Sequence, residues 1–139
     1  KYLDKNKIYW ECTDFGDSNI TKVLKENGFN VIATRKEEFD FLKNDPVFDF
    51  DVIITNPPYS IKDKFLKKCY ELDKPFALLL PITSLEGKIR GKLYREKGIE
   101  LVVLDKRINF MKEKKNVWFN TSWFCHKICN RQLNFEKVK

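Results

Sequence analysis

Apolar residues along this chain recur at two spacings in turn, and the two predict alternating strands and helices. Ile8-Tyr9-Trp10-Glu11-Cys12 is a short apolar run of strand type, and residues 13–19 after it are mostly small and polar, like a turn. Residues 20–27 place Ile20, Val23 and Leu24 on one face of a helix. Ser18 stands where its N-cap should be, and Gly28 where a left-handed stop belongs. Residues 29–34 return to strand spacing. Strand, polar turn, capped helix and strand form the opening unit of a nucleotide-binding α/β fold.

The alternation continues. Asp51-Val52-Ile53-Ile54-Thr55 is β-branched and apolar, as a strand covered on both faces of a parallel sheet tends to be. Residues 61–72 carry Ile61, Phe65, Leu66, Cys69 and Leu72 as one buried stripe, with Ser60 as cap. A strand over 75–80, a basic helix over 85–97 stopped by Gly98, and a strand over 99–104 follow. A basic connection over 105–116 then leads to one long aromatic strand over 117–128. Residues 1–7 read as the tail of a helix and a polar turn, 44–46 as a turn, and 129–139 as a tail that pairs along the last strand or frays. There is no internal repeat, low-complexity segment or linker.

Composition narrows this picture. At 139 residues the chain reads as one domain, and Lys1 in place of Met reads as a trimmed piece of a longer protein. No apolar run is long enough to span a bilayer and no secretory signal pattern is present, so a cytoplasmic setting is expected. Four cysteines, Cys12, Cys69, Cys125 and Cys129, fit no zinc spacing even with His126 between the last two, so reduced thiols and no metal are expected. The net charge of +7 favours an anionic partner, nucleic acid being the commonest. Lys88, Arg90, Lys92, Arg95 and Lys97 form one basic segment, and Lys106, Arg107, Lys112, Lys114 and Lys115 another.

The chemistry concentrates at Asn56-Pro57-Pro58-Tyr59, directly after the apolar strand. Neither proline can donate a backbone hydrogen bond, and Pro57 holds Asn56 out of the helical region. The result is a stiff loop at the carboxyl end of a strand, presenting an amide, a carbonyl and an aromatic ring. Open α/β sheets bind ligands at that end.

This loop, with a strand before it and a helix after it, resembles the catalytic motif of S-adenosylmethionine-dependent amino-methyltransferases, above all the N6-adenine DNA methyltransferases. The resemblance implies a class I, Rossmann-like fold, a mostly parallel sheet with an antiparallel last strand, and a third strand reduced for lack of room. It implies a catalytic role for Asn56, Pro57, Pro58 and Tyr59. The turn after the first strand resembles the family's cofactor loop, with Glu11, Thr13, Gly16 and Ser18 as the matching positions; Ser18 replaces the second glycine. Glu11 is the candidate for the cofactor's ammonium group, through the loop it ends. After the second strand the family carries an acid for the ribose hydroxyls, whereas this chain has Thr34-Arg35-Lys36. Either Glu37 folds back to do that work or ribose recognition is weakened. Asp40 and Phe41 resemble the pair beside the cofactor's adenine. Lys106, Arg107 and Phe110 resemble the loop that carries an aromatic against the flipped base. The resemblance thus implies methyl transfer from S-adenosylmethionine to adenine N6, in DNA first and RNA second, with target recognition left to another region or subunit. Protein glutamine methylation and a non-catalytic binding module remain the alternatives.

Overall fold

The computed structural model describes residues 1–14, 18–105 and 121–138. Its strands are β1 (Ile8–Glu11), β2 (Asn30–Ala33), β3 (Val52–Thr55), β4 (Phe76–Pro81), β5 (Glu100–Leu104), β6 (Thr121–His126) and β7 (Leu133–Glu136). Helices α1 (Asn19–Glu26), α2 (Lys62–Glu71) and α3 (Lys88–Lys97) connect them. The strands form one sheet in the order β2-β1-β3-β4-β6-β5-β7. β6 runs antiparallel to both its neighbours, and every other pairing is parallel. This is a Rossmann-like α/β sheet.

Two expectations about the sheet need correction. The strand within 117–128 runs antiparallel as expected, but it is not the last one. The chain turns after β6 at Lys127, where φ is +57°, and the Glu100 carboxylate accepts the backbone N–H groups of Lys127, Ile128 and Cys129 around that turn. Residues 133–136 then add β7 beside β5, so the tail does not pair along β6. The third strand, expected to be reduced, is absent, and residues 34–51 contain no strand. Aromatic packing holds them instead. The Trp10 ring lies 5.5 Å from Phe39, 5.3 Å from Phe41, 5.0 Å from Phe48 and 5.0 Å from Phe50. Its indole N–H donates to Thr34 Oγ1 at 2.9 Å. Edge-to-face contacts of this kind fix ring positions without any backbone ladder.

Alternation along the strands separates two apolar layers. Trp10, Ile53, Leu78 and Phe124 face α2, α3 and the aromatic loop. Tyr9, Val52, Ile54, Ala77 and Val102 face α1 and the segment before β1.

The helix ends follow local chemistry. Ser18 caps α1 by accepting from Thr21 N at 3.4 Å, and Gly28 lies just past its end with φ +83°. Ser60 does not cap α2. Pro57 and Pro58 deliver the chain into a 3-10 turn over Tyr59–Ile61, in which Ile61 N donates to the Pro58 carbonyl at 3.2 Å. α2 therefore begins at Lys62 with no side-chain cap, and Asp63 supplies a favourable charge in its first turn. α3 begins at Lys88 rather than at 85, because Gly87 has φ +133° and cannot join a right-handed helix. Residues 1–7 include no helix, and of the long final strand expected over 117–128, residues 117–120 lie outside the described residues.

Candidate functional site

β1 pairs with β2 on one side and β3 on the other, so connections leaving β1 and β3 diverge and open a crevice at their carboxyl ends. Asn56-Pro57-Pro58-Tyr59 leaves β3 at that crevice. Pro57 is buried, Asn56 and Tyr59 are half-buried, and Pro58 is exposed. Tyr59 packs on the core, and burial raises its phenol above the ordinary range. The Asn56 backbone carbonyl accepts from Thr13 Oγ1 at 3.3 Å. No hydrogen bond from a described residue reaches the Asn56 side-chain oxygen or the Pro57 carbonyl. Both acceptors are therefore unengaged among the described residues, one on half-buried Asn56 and one on buried Pro57.

Behind this loop lies a buried polar knot centred on Glu11, which is 1% exposed. Glu11 Oε1 accepts from Thr13 N at 2.9 Å, from Thr13 Oγ1 at 3.2 Å and from Thr55 Oγ1. Its Oε2 accepts from Ser18 Oγ at 2.9 Å, and the Thr13 and Thr55 hydroxyls also bond each other. Burial pushes the carboxyl up from its ordinary range, and the four hydrogen bonds oppose that shift. A second carboxylate, Asp14, accepts from Thr21 Oγ1 at 2.7 Å and so ties the loop to α1. The knot fastens the loop after β1 to the last residue of β3, the one that precedes Asn56. Glu11 therefore ties the shapes of the two loops together.

A cavity of about 500 Å³ opens beside this knot. Cys12 and Thr13 line it from the loop after β1, Lys36 and residues 40–43 from the loop after β2, and Pro58, Ile61, Lys64 and Phe65 from the far side. Asp40 borders it, with Oδ1 accepting from Leu42 N at 3.0 Å in a tight turn. Phe41 is buried and stacks on Phe65 at 5.0 Å with 12° between planes, so it forms the floor. Glu37 is exposed and is not among the lining residues; Lys36 occupies the position after β2 that borders the cavity. A second cavity of about 340 Å³ lies on the opposite apolar layer, lined by residues such as Ile20, Val23, Ile54 and Trp123, away from the β3 loop.

Sequence reasoning missed Thr55, whose hydroxyl bonds Glu11 across 44 positions, and the cavity lysines Lys43 and Lys64. The Thr55 signal was a lone polar residue ending an apolar strand. Gly16, Lys106, Arg107 and Phe110 lie outside the described residues. In the basic segment on α3, Arg90 pairs with Asp63 at 2.7 Å, while Lys88, Lys92, Arg95 and Lys97 are exposed. His126 lies at the amino end of β4, opposite Phe76 and beside the Tyr70 ring, remote from these loops. Burial lowers its pKa. Among the described residues no group of His, Cys, Asp and Glu side chains could hold a metal ion, and no helix is long and apolar enough to cross a membrane.

No family model matches the chain, and no curated protein matches it. Solved structures show weak likeness. A predicted O-methyltransferase from Agrobacterium tumefaciens aligns with TM-score 0.44 at 10% identity, covering 97% of this chain and 79% of the other. A protein assigned as the modification subunit of a type I restriction enzyme from Vibrio vulnificus aligns with TM-score 0.40 at 13% identity, covering 86% of this chain and 32% of the other. A protein from Thermoplasma acidophilum assigned as a methyltransferase gives TM-score 0.34 at 16% identity, covering 94% and 60%. Likeness at this level carries no functional argument.

Proposed function

We propose that this chain transfers a methyl group from S-adenosylmethionine to the exocyclic N6 amino group of adenine, in DNA first and RNA second. The observation that carries the reading is the Asn56-Pro57-Pro58-Tyr59 loop at the carboxyl end of β3, with the Asn56 side-chain oxygen and the Pro57 carbonyl both unengaged among the described residues.

An aromatic amine is a poor nucleophile because its lone pair is delocalised into the ring. Two acceptors on its two N–H bonds draw the nitrogen toward tetrahedral geometry and localise that pair. Asn56 Oδ1 and the Pro57 carbonyl are the two acceptors. The prolines keep them fixed before substrate arrives, so the acceleration comes from positioning and electrostatic preorganisation. In this reading Tyr59 would be the aromatic partner of the base. Stacking is worth about 1–3 kcal/mol per base, against a flipping cost of a few kcal/mol in a duplex. The Glu11 knot holds Thr55, and with it Asn56, in register with the loop after β1.

The cavity fits an adenosyl group in volume and in its apolar floor of Phe41 and Phe65, with Leu42 and Ile61 at its sides. Cys12, Thr13 and Pro58 would border the group, and Asp40 would be the polar partner at its rim. When bound, S-adenosylmethionine supplies an electrophilic methyl on a sulfonium. Charge supports a polyanionic target: the net charge is +7, and Lys88, Lys92, Arg95 and Lys97 stand exposed along α3. Recognition of a particular base sequence would fall to another region or subunit.

Asn56→Ala is the test. Turnover on an adenine-containing oligonucleotide should fall by at least about 100-fold, the scale of losing one preorganised polar group, with an unchanged circular-dichroism spectrum. Undiminished methyl transfer would remove Asn56 from the mechanism. A second reading, a non-catalytic binding module, is favoured by Lys36 at the place of the ribose-binding acid. In that case neither the wild type nor the variant would transfer methyl.

A further inference from the structure

The carboxyl-edge cavity holds more positive charge than a neutral adenosyl group calls for. Lys36, Lys43 and Lys64 line it, and Asp40 is the one acid among its described lining residues. The Asp40 carboxylate is already drawn on by Leu42 N–H. None of the three side-chain ammonium groups makes an ion pair or hydrogen bond with a described residue. Lys68 and Lys127 pair with Asp45 at 2.7 Å and Asp73 at 3.3 Å, and exposed lysines such as Lys88 and Lys92 also carry no ion pair among the described residues; what sets Lys36, Lys43 and Lys64 apart is that they share one cavity. Three unpaired cations around one opening raise its potential and draw an anion to it.

The placement of Lys36 gives that anion an address. In dinucleotide-binding sheets, the residue after the second strand decides what the ribose carries: an acid takes the free diol, and a basic residue takes a phosphate there. Here β2 is followed by Thr34-Arg35-Lys36. Arg35 is drawn toward Glu38 at 3.6 Å, and Lys36 borders the cavity. A lysine ammonium serves as a point charge for phosphate. A phosphate monoester brings about −1.5 to −2 charges at neutral pH, enough to offset most of the three lysines.

We propose that this cavity binds an adenine nucleotide with a phosphate on its ribose at the 2′ or 3′ position, in preference to an adenosyl group with a free diol. The purine would rest on the Phe41–Phe65 floor beside Leu42 and Ile61. The phosphate would sit against Lys36, with Lys43 and Lys64 at the rim. The inference shares its cavity with the methyl-donor reading but stands on the lysines, so either can hold without the other.

Calorimetric titration of the intact chain separates the possibilities. Adenosine and its 2′-, 3′- and 5′-monophosphates would be compared at low and at 0.5 M salt, roughly the range over which screening becomes strong. The 2′- or 3′-phosphate should bind at least about tenfold more tightly than adenosine, the scale of one charge-assisted contact. That advantage should shrink at high salt and in Lys36→Gln/Lys43→Gln. Both lysines are exposed, so the variant should keep the wild-type melting curve. Equal affinities for adenosine and the phosphates would overturn the proposal. So would a full advantage for the 5′-phosphate alone, a preference that survives loss of the lysines, or no binding of any of the four. A parallel titration with S-adenosylmethionine keeps the two readings distinct: donor binding without phosphate preference supports only the earlier one, and the converse supports only this one.

Discussion

Glu11→Ala should be among the most destabilising single changes in this chain. The wild-type carboxylate is 1% exposed and receives Thr13 N, Thr13 Oγ1, Thr55 Oγ1 and Ser18 Oγ. With the carboxylate gone, the two threonine hydroxyls can still bond each other. Thr13 N–H and the Ser18 hydroxyl lose their acceptor. Two donors on half-buried residues left unsatisfied cost up to about 1–3 kcal/mol each, so the loss should be at most roughly 2–6 kcal/mol, a large part of a typical domain's stability. With a urea m-value near 2 kcal/mol per M, the unfolding midpoint should drop by about 1–3 M. Glu11→Gln should behave differently. The amide keeps an oxygen for Thr13 and Thr55, can donate to Ser18, and carries no charge. Burial raises the folded-state pKa of Glu11, so the pH-dependent part of its contribution to wild-type stability is fully present below the unfolded value, about 4.3, and is lost as pH rises through the folded value, while the hydrogen bonds to the carboxylate remain. Relative to wild type, Glu11→Gln should therefore gain stability as pH climbs over that window. A Glu11→Ala midpoint within about 0.25 M of wild type would refute the claim that this knot holds the two loops together.

Two further outcomes follow from the packing. Trp10→Ala removes the ring that four phenylalanines touch and should cost about 3–5 kcal/mol, with loss of amide-exchange protection across residues 34–51; a loss under about 1 kcal/mol would show that the loop holds itself. Cys12, Cys69 and Cys125 are buried and Cys129 is half-buried, so an aromatic disulfide reagent should modify Cys129 first and reach Cys69 only on unfolding; equal rates at all four would contradict the buried placement.

Strand positions were legible because a covered strand needs a continuous apolar run, and β1, β3 and β4 each have one. Ser18 and Gly28 were legible because caps are local chemistry. Ser60 misled for the converse reason: the two prolines before it set a 3-10 turn that a capping rule does not contain. β7 is only four residues long, and its alternation of Leu133 and Phe135 with Asn134 and Glu136 is a weak signal amid charged neighbours. The loop over 34–51 has no period to read, since its order comes from rings converging on Trp10. At the site, the Asn56 loop could be read from sequence, because a strand followed by two prolines fixes its own geometry. The convergence of Thr13, Ser18 and Thr55 on one carboxylate could not, because Glu11 and Thr55 are neighbours only once β1 and β3 pair. Lys36 was visible as a missing acid, but its gathering with Lys43 and Lys64 around one cavity required the fold.

Calorimetric titration of the wild-type chain with S-adenosylmethionine tests the central claim most directly, because methyl transfer requires a donor site at the ends of β1, β2 and β3. Saturable binding at micromolar concentration, about −8 kcal/mol, is the result this account predicts. No heat at millimolar donor, from a chain that shows its folded spectrum, would contradict it and leave the Asn56 loop without a donor to act on.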